Sequence, residues 1–568
     1  MNDIRKTPAK PSRSAVPAAL LFLAGAFVAA GQAGQVAPAK AGVAEIPTEA
    51  KVDKIFEMWN HSDTPGCAVG VAVKGQPVLI RTYGMANLES GLRITPDTVF
   101  ESGSVAKQFT AAAIALLVQD GKLALDDPVR KYLPEVPDFG TPILIRHFLN
   151  HTSGLRSQWP LLSLEGREPG LAVHTIDEIL ELVAGLKELN FKPGDEYLYN
   201  NTGYTLLGVI VRRVSGKSLD DFCQERLFKP LGMTRTQWRD DFTEIVPGRA
   251  TAYKQNKSGG FSTHMPFTNV IGNGGLLTTV GDLLIWNENL DTPRVGGQTL
   301  VDQLQTRGRL NDGFEIEYGQ GLIVTTYKGV REVSHGGSTA GYQTFLARFP
   351  EERLSIVVLS NVSTSGPARL AHAVADIFLA GKLKEPAKPA PVAVAAAVLK
   401  TYAGVYCEPL TDASMRVEVD KGGKTLRIGD QPVIPVARTN FVEEDGGRQF
   451  VFEPATASSP LRMTESDGRS KPRLWEATPP FAPKAEELEA FTGSFHSDEI
   501  DKTYILTVEE GKLKARFRPA TRIELAPAYP DAFTAEGNVL RFTRDSSGTI
   551  TGFLVYAGRV RHLRFAKR

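Results

Sequence analysis

Ser104 and Lys107 stand three residues apart in Phe100-Glu-Ser-Gly-Ser104-Val-Ala-Lys107, where a loop enters an Ala- and Leu-rich segment, 105–119, that reads as a helix. At 3.6 residues per turn the two side chains share one helix face. A serine hydroxyl is a poor nucleophile until a base takes its proton. An ammonium cannot do that, so Lys107 must be neutral for part of any such cycle. Burial and a neighbouring cation both push a lysine that way. The start of a helix adds an unpaired N–H and the positive end of a dipole, both suited to a developing oxyanion. Taken alone, the spacing is weak, and an N-capping serine with a solvated lysine is the more common reason for it. Two more segments carry polar groups at suggestive places. Tyr199-Asn-Asn201 precedes an apolar run, and Glu332-Val-Ser-His335-Gly336-Gly337-Ser338 ends a strand in two glycines. Glycines there let a substrate backbone lie close to the strand.

These residues need elements to hold them. Residues 67–73 and 77–80 read as a strand pair joined at Lys74-Gly75-Gln76, and 353–359 as a buried strand. Strands at both ends of 44–382, with helices between, predict an antiparallel sheet completed by the two ends and packed with helices. A Pro/Ala-rich linker spans 383–395, around Lys384-Glu-Pro-Ala-Lys-Pro-Ala-Pro. Beyond it, short alternating strands and Gly turns dominate. Leu399-Lys-Thr-Tyr402-Ala-Gly404-Val-Tyr406 matches Leu488-Glu-Ala-Phe491-Thr-Gly493-Ser-Phe495, an offset of 89 residues. That offset predicts two small all-β units, barrel-like, over 396–482 and 483–568, in preference to one larger sandwich.

Together the three motifs resemble the set that marks the serine β-lactamase and penicillin-binding-protein superfamily, in its class C β-lactamase-like branch. That branch includes D-aminopeptidases, DD-peptidases and related esterases. The resemblance covers 44–382. Further family-like phrases follow in order: Thr64-Pro-Gly-Cys-Ala-Val-Gly-Val, Leu149-Asn-His-Thr-Ser-Gly-Leu155, Gly274-Gly-Leu-Leu-Thr-Thr279 with Asp282, and Leu359-Ser-Asn361. The fold it implies is α/β (α+β): an antiparallel sheet with a helical subdomain and the site between them. Residue by residue, it implies Ser104 as the nucleophile that forms an acyl-enzyme and Lys107 as the proton acceptor. Tyr199 is the implied proton relay, and Asn201 orients the lysine and substrate. His335, Gly336 and Gly337 take the third motif, with His335 a second proton donor to the leaving group. The backbone N–H groups of Ser104 and Ser338 form the implied oxyanion hole.

One departure narrows the activity. Most β-lactamases have Lys-Thr-Gly where this chain has His335-Gly336-Gly337, and a histidine is largely neutral near pH 7. D-aminopeptidases resemble the whole layout, a catalytic domain followed by two antiparallel barrels, with a barrel loop reaching the site. The expected enzyme is therefore a serine hydrolase of the D-aminopeptidase or DD-peptidase kind. An esterase, a β-lactamase and a non-turnover penicillin-binding or sensor protein remain as alternatives. The expected substrate is a small molecule or short peptide, cell-wall-derived peptides included, and no cofactor or metal is called for.

Composition bounds the remaining choices. The 568 residues include 65 basic and 64 acidic ones, a net charge of +1, which argues against a generally basic nucleic-acid binder. Cys67, Cys223 and Cys407 are too few for a disulfide framework. Residues 1–33 read as a secretory signal: a basic start, an uncharged stretch over 15–30, then small residues at two possible cleavage points. They predict a periplasmic or secreted protein with no membrane segment after cleavage. A short linker follows over 35–42. Oligomeric state is left open. His147 and His151 have the spacing of a helical zinc pair but lack the glutamate that would follow the first histidine, so His151 reads as a loop-fixing residue. Gly272-Asn-Gly274-Gly275 precedes no Lys-Ser/Thr and is a poor phosphate loop. Arg559, Arg561 and Arg564 read as the solvated face of a strand.

Overall fold

Cys67–Val73 is an unbroken apolar run, and it forms a strand, β1, covered on both faces. Cys67, Val69 and Val71 face one apolar layer, and Ala68 and Ala72 face the other. A computed structural model describes residues 48–170, 172–384, 389–444, 446–518 and 521–568. The leader read over 1–33 and the 35–42 linker lie outside the described residues, as do 385–388 of the Pro/Ala linker.

A hairpin joins β1 to β2 (Gln76–Tyr83), and the sheet is completed by β3 (Ile323–Tyr327), β4 (Val330–Thr339), β5 (Tyr342–Phe349) and β6 (Leu354–Ser360). The order is β3-β4-β5-β6-β1-β2, antiparallel throughout. Cys67 pairs with Ser360 and Val73 with Leu354, so the two ends of the domain close the sheet as expected. The helices α1 (Thr48–Phe56), α4 (Val280–Asp291) and α5 (Pro367–Phe378) pack on it, while α2 (Lys107–Gln119) and α3 (Asn201–Ser215) pack against each other. On one face Val52, Phe56, Leu370 and Val374 of α1 and α5 cover Val69, Val71, Ile356 and Val358. On the other, α4 lies close enough to β1 that a side chain at Gly70 would meet Val280 at 2.6 Å.

The helix expected from 105 begins two residues later. Gly103–Ala106 is a single 3-10 turn, and α2 starts at Lys107. The turn is tight because Gly103 adopts φ +53°, open to glycine without strain. Residues Lys107 through Leu117 are all buried, which an Ala-rich helix permits by its small cross-section. Trp286 of α4 donates to Gln108 Oε1 at 2.8 Å and fixes the helix that follows the serine. The start of α3 is set by Asn200, whose Oδ1 accepts the Gly203 N–H at 2.8 Å.

Beyond the linker lie two separate closed barrels of eight strands, not one sandwich. The repeated phrase plays the same part in each: a short helix ends in Tyr402 or Phe491, and Gly404–Cys407 or Gly493–Ser497 is the first strand. Tyr406 and Phe495, the equivalent second aromatics, are fully buried. The second barrel's apolar interior is continuous with that of the helical subdomain. Tyr504 donates to Leu164 O at 2.8 Å across the junction.

The basic strand face read at the C-terminus is corrected. Only Arg564 lies on a strand, Leu563–Lys567, with its side chain exposed. Arg559 and Arg561 belong to the loop between that strand and Ile550–Tyr556, and Arg561 is buried. The chain turns at Gly558 (φ +57°) and leaves the barrel to meet the helical subdomain.

Candidate active site

Ser104 projects from the 3-10 turn and Lys107 from the first residue of α2, where the side chain is fully buried. The lysine Nζ lies 3.0 Å from Ser104 Oγ, 2.9 Å from Asn201 Oδ1 and 2.6 Å from the Asn273 carbonyl oxygen. Burial, and then the charge of Arg559, hold its pKa well below the usual lysine range. A neutral amine has two N–H groups and one lone pair. The two carbonyl oxygens can only accept, so they take both N–H groups. The lone pair is left for Ser104, whose O–H donates to it. With the amine neutral, this geometry would let Lys107 accept a proton from Ser104.

Asn201 and Asn273 arrive from different places. Asn201 opens α3 beside its N-cap, which fixes its side chain toward the lysine. Asn273 sits in the Gly-rich 272–275 loop, held by Thr110 Oγ1 donating to Gly272 O at 2.7 Å and Thr205 Oγ1 donating to Asn273 Oδ1 at 3.1 Å. Sequence reasoning missed it, because the contribution comes from a backbone carbonyl, which any residue could supply.

Tyr199 precedes α3 by two residues. Its ring centroid lies 4.9 Å from Lys107 Nζ, 4.7 Å from the Arg559 guanidinium carbon and 4.2 Å from the His151 ring centroid. The phenol oxygen is buried with no hydrogen-bond partner among the described residues. Burial raises its pKa, while the nearby Ser104 hydroxyl and the charge of Arg559 pull the other way. The phenol is therefore neutral at pH 7 and holds a proton that it can donate.

His335 is almost fully enclosed, and burial followed by the Lys107 charge lowers its pKa to about 3. Its Nδ1 lies 2.6 Å from Gly336 O, so Nδ1 carries the hydrogen and Nε2 accepts from the Tyr318 hydroxyl at 3.0 Å. Both ring nitrogens are engaged, which leaves Tyr199 as the group with a free proton. His151 fixes its loop as expected, Nδ1 accepting the Asn200 N–H at 3.1 Å. His147 Nδ1 instead accepts the Leu144 N–H, so the pair does not converge.

The end of β4 runs against the serine turn. A Cβ on Gly337 would lie 2.0 Å from Ser102 O and 3.1 Å from Ser104 N, and one on Gly103 would lie 2.6 Å from Ser338 N. The Ser104 and Ser338 amides therefore flank one narrow seam that admits no side chain. In front of it opens a cavity of about 410 Å³, lined by Ser104, Trp159, Met265, Pro266, Phe267 and Val270 among others. Glu101 also lines it, buried beside Arg249 at 3.5 Å and Arg239 at 3.7 Å.

The second barrel reaches this site. Arg559 O accepts the Ser157 N–H at 3.3 Å and Asn190 Nδ2–H at 3.0 Å, and the Arg561 N–H donates to Asn190 Oδ1 at 2.8 Å. Arg561 pairs with Glu196 at 3.0 Å. Arg156, fully buried, pairs with Glu499 of the barrel and donates to Arg561 O at 3.1 Å. The β-lactamase family model matches residues 52–380, well over half of the chain. The chain belongs to the β-lactamase family. Within that family it resembles the D-aminopeptidase of Brucella anthropi, 27% identical over 518 residues, covering 86% of this chain and 93% of that one. The D-aminopeptidase of Gluconobacter oxydans is 28% identical, over 78% of this chain and 82% of its own. Among solved structures, the octameric penicillin-binding protein homologue from Pyrococcus abyssi superposes with a TM-score of 0.53 at 25% identity, covering 83% of this chain and 98% of that one. A family serine hydrolase, peptidase or amidase, is what these relationships and the fold support. Among the described residues no group of three or more His, Cys, Asp or Glu is placed to hold a metal ion. No helix among them is long and apolar enough to cross a membrane.

Proposed function

We propose that this family member is an exported serine peptidase that cleaves D-amino-acid-containing peptides through an acyl-enzyme on Ser104. The observation that carries the reading is the three-way contact of Lys107, which leaves only a lone pair to face the serine hydroxyl. Lys107 takes the Ser104 proton as Oγ attacks the carbonyl carbon. The oxyanion forms between the Ser104 and Ser338 N–H groups, whose worth is greatest in a site shielded from water. Tyr199 donates its proton to the departing amine, and the proton on Lys107 then restores the phenol. Water enters, loses a proton by the same relay, and releases the acyl group with Ser104 regenerated. No step calls for a cofactor.

The preference for D-peptides draws on similarity to D-aminopeptidases over most of the chain. The leader-like pattern of 1–33 supports export. A substrate panel tests the reading: a D-alanyl p-nitroanilide, its L-isomer, a p-nitrophenyl ester and nitrocefin. Selective cleavage of the D-anilide, abolished by Ser104→Ala, is the expected result. Turnover of nitrocefin alone, or no D over L preference, would overturn it.

A further inference from the structure

We propose that Tyr318 is a positioning residue for the oxyanion seam and acts through His335. Its hydroxyl fixes the imidazole with the hydrogen on Nδ1, and that hydrogen holds the Gly336 carbonyl, one peptide before the Ser338 amide. The inference rests on the reading above of the Ser104 and Ser338 N–H groups as oxyanion donors.

The direction of each bond follows from the chemistry of its partners. A carbonyl oxygen only accepts, so the 2.6 Å contact between Gly336 O and Nδ1 puts the imidazole hydrogen on Nδ1. A neutral imidazole has one such hydrogen. Nε2 is then an acceptor, and the Tyr318 hydroxyl, 3.0 Å away, is its donor. Burial supports both assignments. It holds the Tyr318 phenol well above the usual tyrosine range, so the proton stays, and it keeps His335 neutral.

Tyr318 is itself firmly held. Its ring centroid lies 4.5 Å from that of His151, and it packs with Leu310 and Ile316. Its carbonyl accepts the Gly308 N–H at 2.8 Å. Asn150 Nδ2–H donates to Gly319 O at 2.7 Å. A Cβ on Gly321 would lie 2.7 Å from the Lys107 carbonyl oxygen, so this loop is braced against the first residue of α2.

The end of β4 needs such a hold. Gly336 and Gly337 carry no side chain, and glycine leaves the backbone its widest freedom. The Ser338 N–H must nevertheless stay aimed at a charge that exists only in the transition state. Pairing with β5 sets the register from Val333 to Thr339. The His335 ring adds a bond at the peptide that joins the two glycines. A side chain from a braced loop thus steadies the backbone that leads to the donor.

The test uses the full chain and an N-acetyl-D-amino-acid p-nitrophenyl ester, with rates taken per site titrated by a fluorophosphonate. Tyr318→Phe keeps the ring and loses the hydroxyl. It is expected to lower kcat on the order of tenfold and to leave KM within about twofold. His335→Leu should lower kcat as well. Adding Tyr318→Phe to it should cost less than about twofold more, because the bond is already gone. Nitrogen NMR of protein carrying isotope-labelled histidine, with the His335 signals assigned from His335→Leu, should show the hydrogen on Nδ1. An unchanged kcat in Tyr318→Phe, single losses that multiply in the double variant, or a hydrogen on Nε2 overturns the proposal. If Ser104→Ala hydrolyses the ester at full rate, the acyl-enzyme reading falls and the positioning role falls with it. Multiplied losses with Ser104→Ala inactive overturn the positioning role alone.

Discussion

The guanidinium carbon of Arg559 lies 4.7 Å from the ring centroid of Tyr199, although the two residues belong to different domains. A barrel at the end of the chain therefore supplies a positive charge to a site whose serine, lysine and tyrosine come from the first domain. That charge favours neutral Lys107 and disfavours a protonated base.

Removing it should be visible in the pH profile. Lys107 must be neutral to accept the serine proton, so the acidic limb of kcat/KM follows its deprotonation. Arg559→Ala takes away a cation that lowers the lysine pKa, so that pKa rises and the limb moves to higher pH. The shift is read with an uncharged N-acetyl-D-amino-acid ester, which keeps substrate charge out of the comparison. An unmoved limb, or a shift to lower pH, would contradict this electrostatic role.

Gly337→Ala should disable the oxyanion seam. The new methyl would sit 2.0 Å from the Ser102 carbonyl oxygen, and backbone cannot swing aside as a side chain can. The Ser338 and Ser104 amides must separate, with an expected loss in kcat of about 100-fold or more. At Gly336 the nearest atom to an added Cβ is 3.8 Å away, so Gly336→Ala should cost far less. Steady-state kinetics on both variants checks the contrast, and equal losses would sink it.

The Arg156–Glu499 pair should be a principal bond between barrel and catalytic domain. Arg156 is fully buried and Glu499 nearly so. Glu499→Gln leaves the buried guanidinium only the more distant, exposed Glu188 carboxylate at 3.9 Å, and breaking a buried pair costs about 3 kcal/mol in comparable settings. Because Arg156 also holds the Arg561 carbonyl, kcat/KM should fall along with the unfolding midpoint in urea. A variant with wild-type stability and rate would remove this pair from the account.

The buried histidines set the acid limit of stability. His335 titrates near 3 in the fold and near 6.5 when unfolded. A lowered folded pKa means the stabilisation is fully present above about 6.5 and is lost as pH falls toward 3. Unfolding free energy should therefore decline between pH 6 and 4, with His335 contributing roughly 1 kcal/mol per pH unit. His335→Gln should flatten the slope by about that amount. An unchanged slope in urea titrations would contradict the assignment.

Much of this was legible in the sequence because it is local. Ser104 and Lys107 meet because three residues of any helical turn bring them together. Asn201 points inward because Asn200 caps the helix it opens. The apolar runs at 67–73 and 353–359 foreshadow strands, and the repeated aromatic-Gly-aromatic phrase foreshadows two barrels. What stayed hidden depends on distant chain. Alternation among Arg559, Arg561 and Arg564 looks like a strand, but Asn190 and Arg156 capture the first two in a loop. The Asn273 carbonyl is backbone and has no signature. The occupied state of His335 follows from Tyr318 and burial, neither visible in its own motif.

In the proposed cycle Ser104 carries the acyl group. Rapid acid quench of the enzyme with an N-acyl-D-amino-acid ester, followed by peptide mass spectrometry, reads it directly. The acyl mass is expected on the peptide containing Ser104, absent in Ser104→Ala, and slow to form in Lys107→Ala. An adduct on another residue, or hydrolysis at full rate in Ser104→Ala, would contradict it.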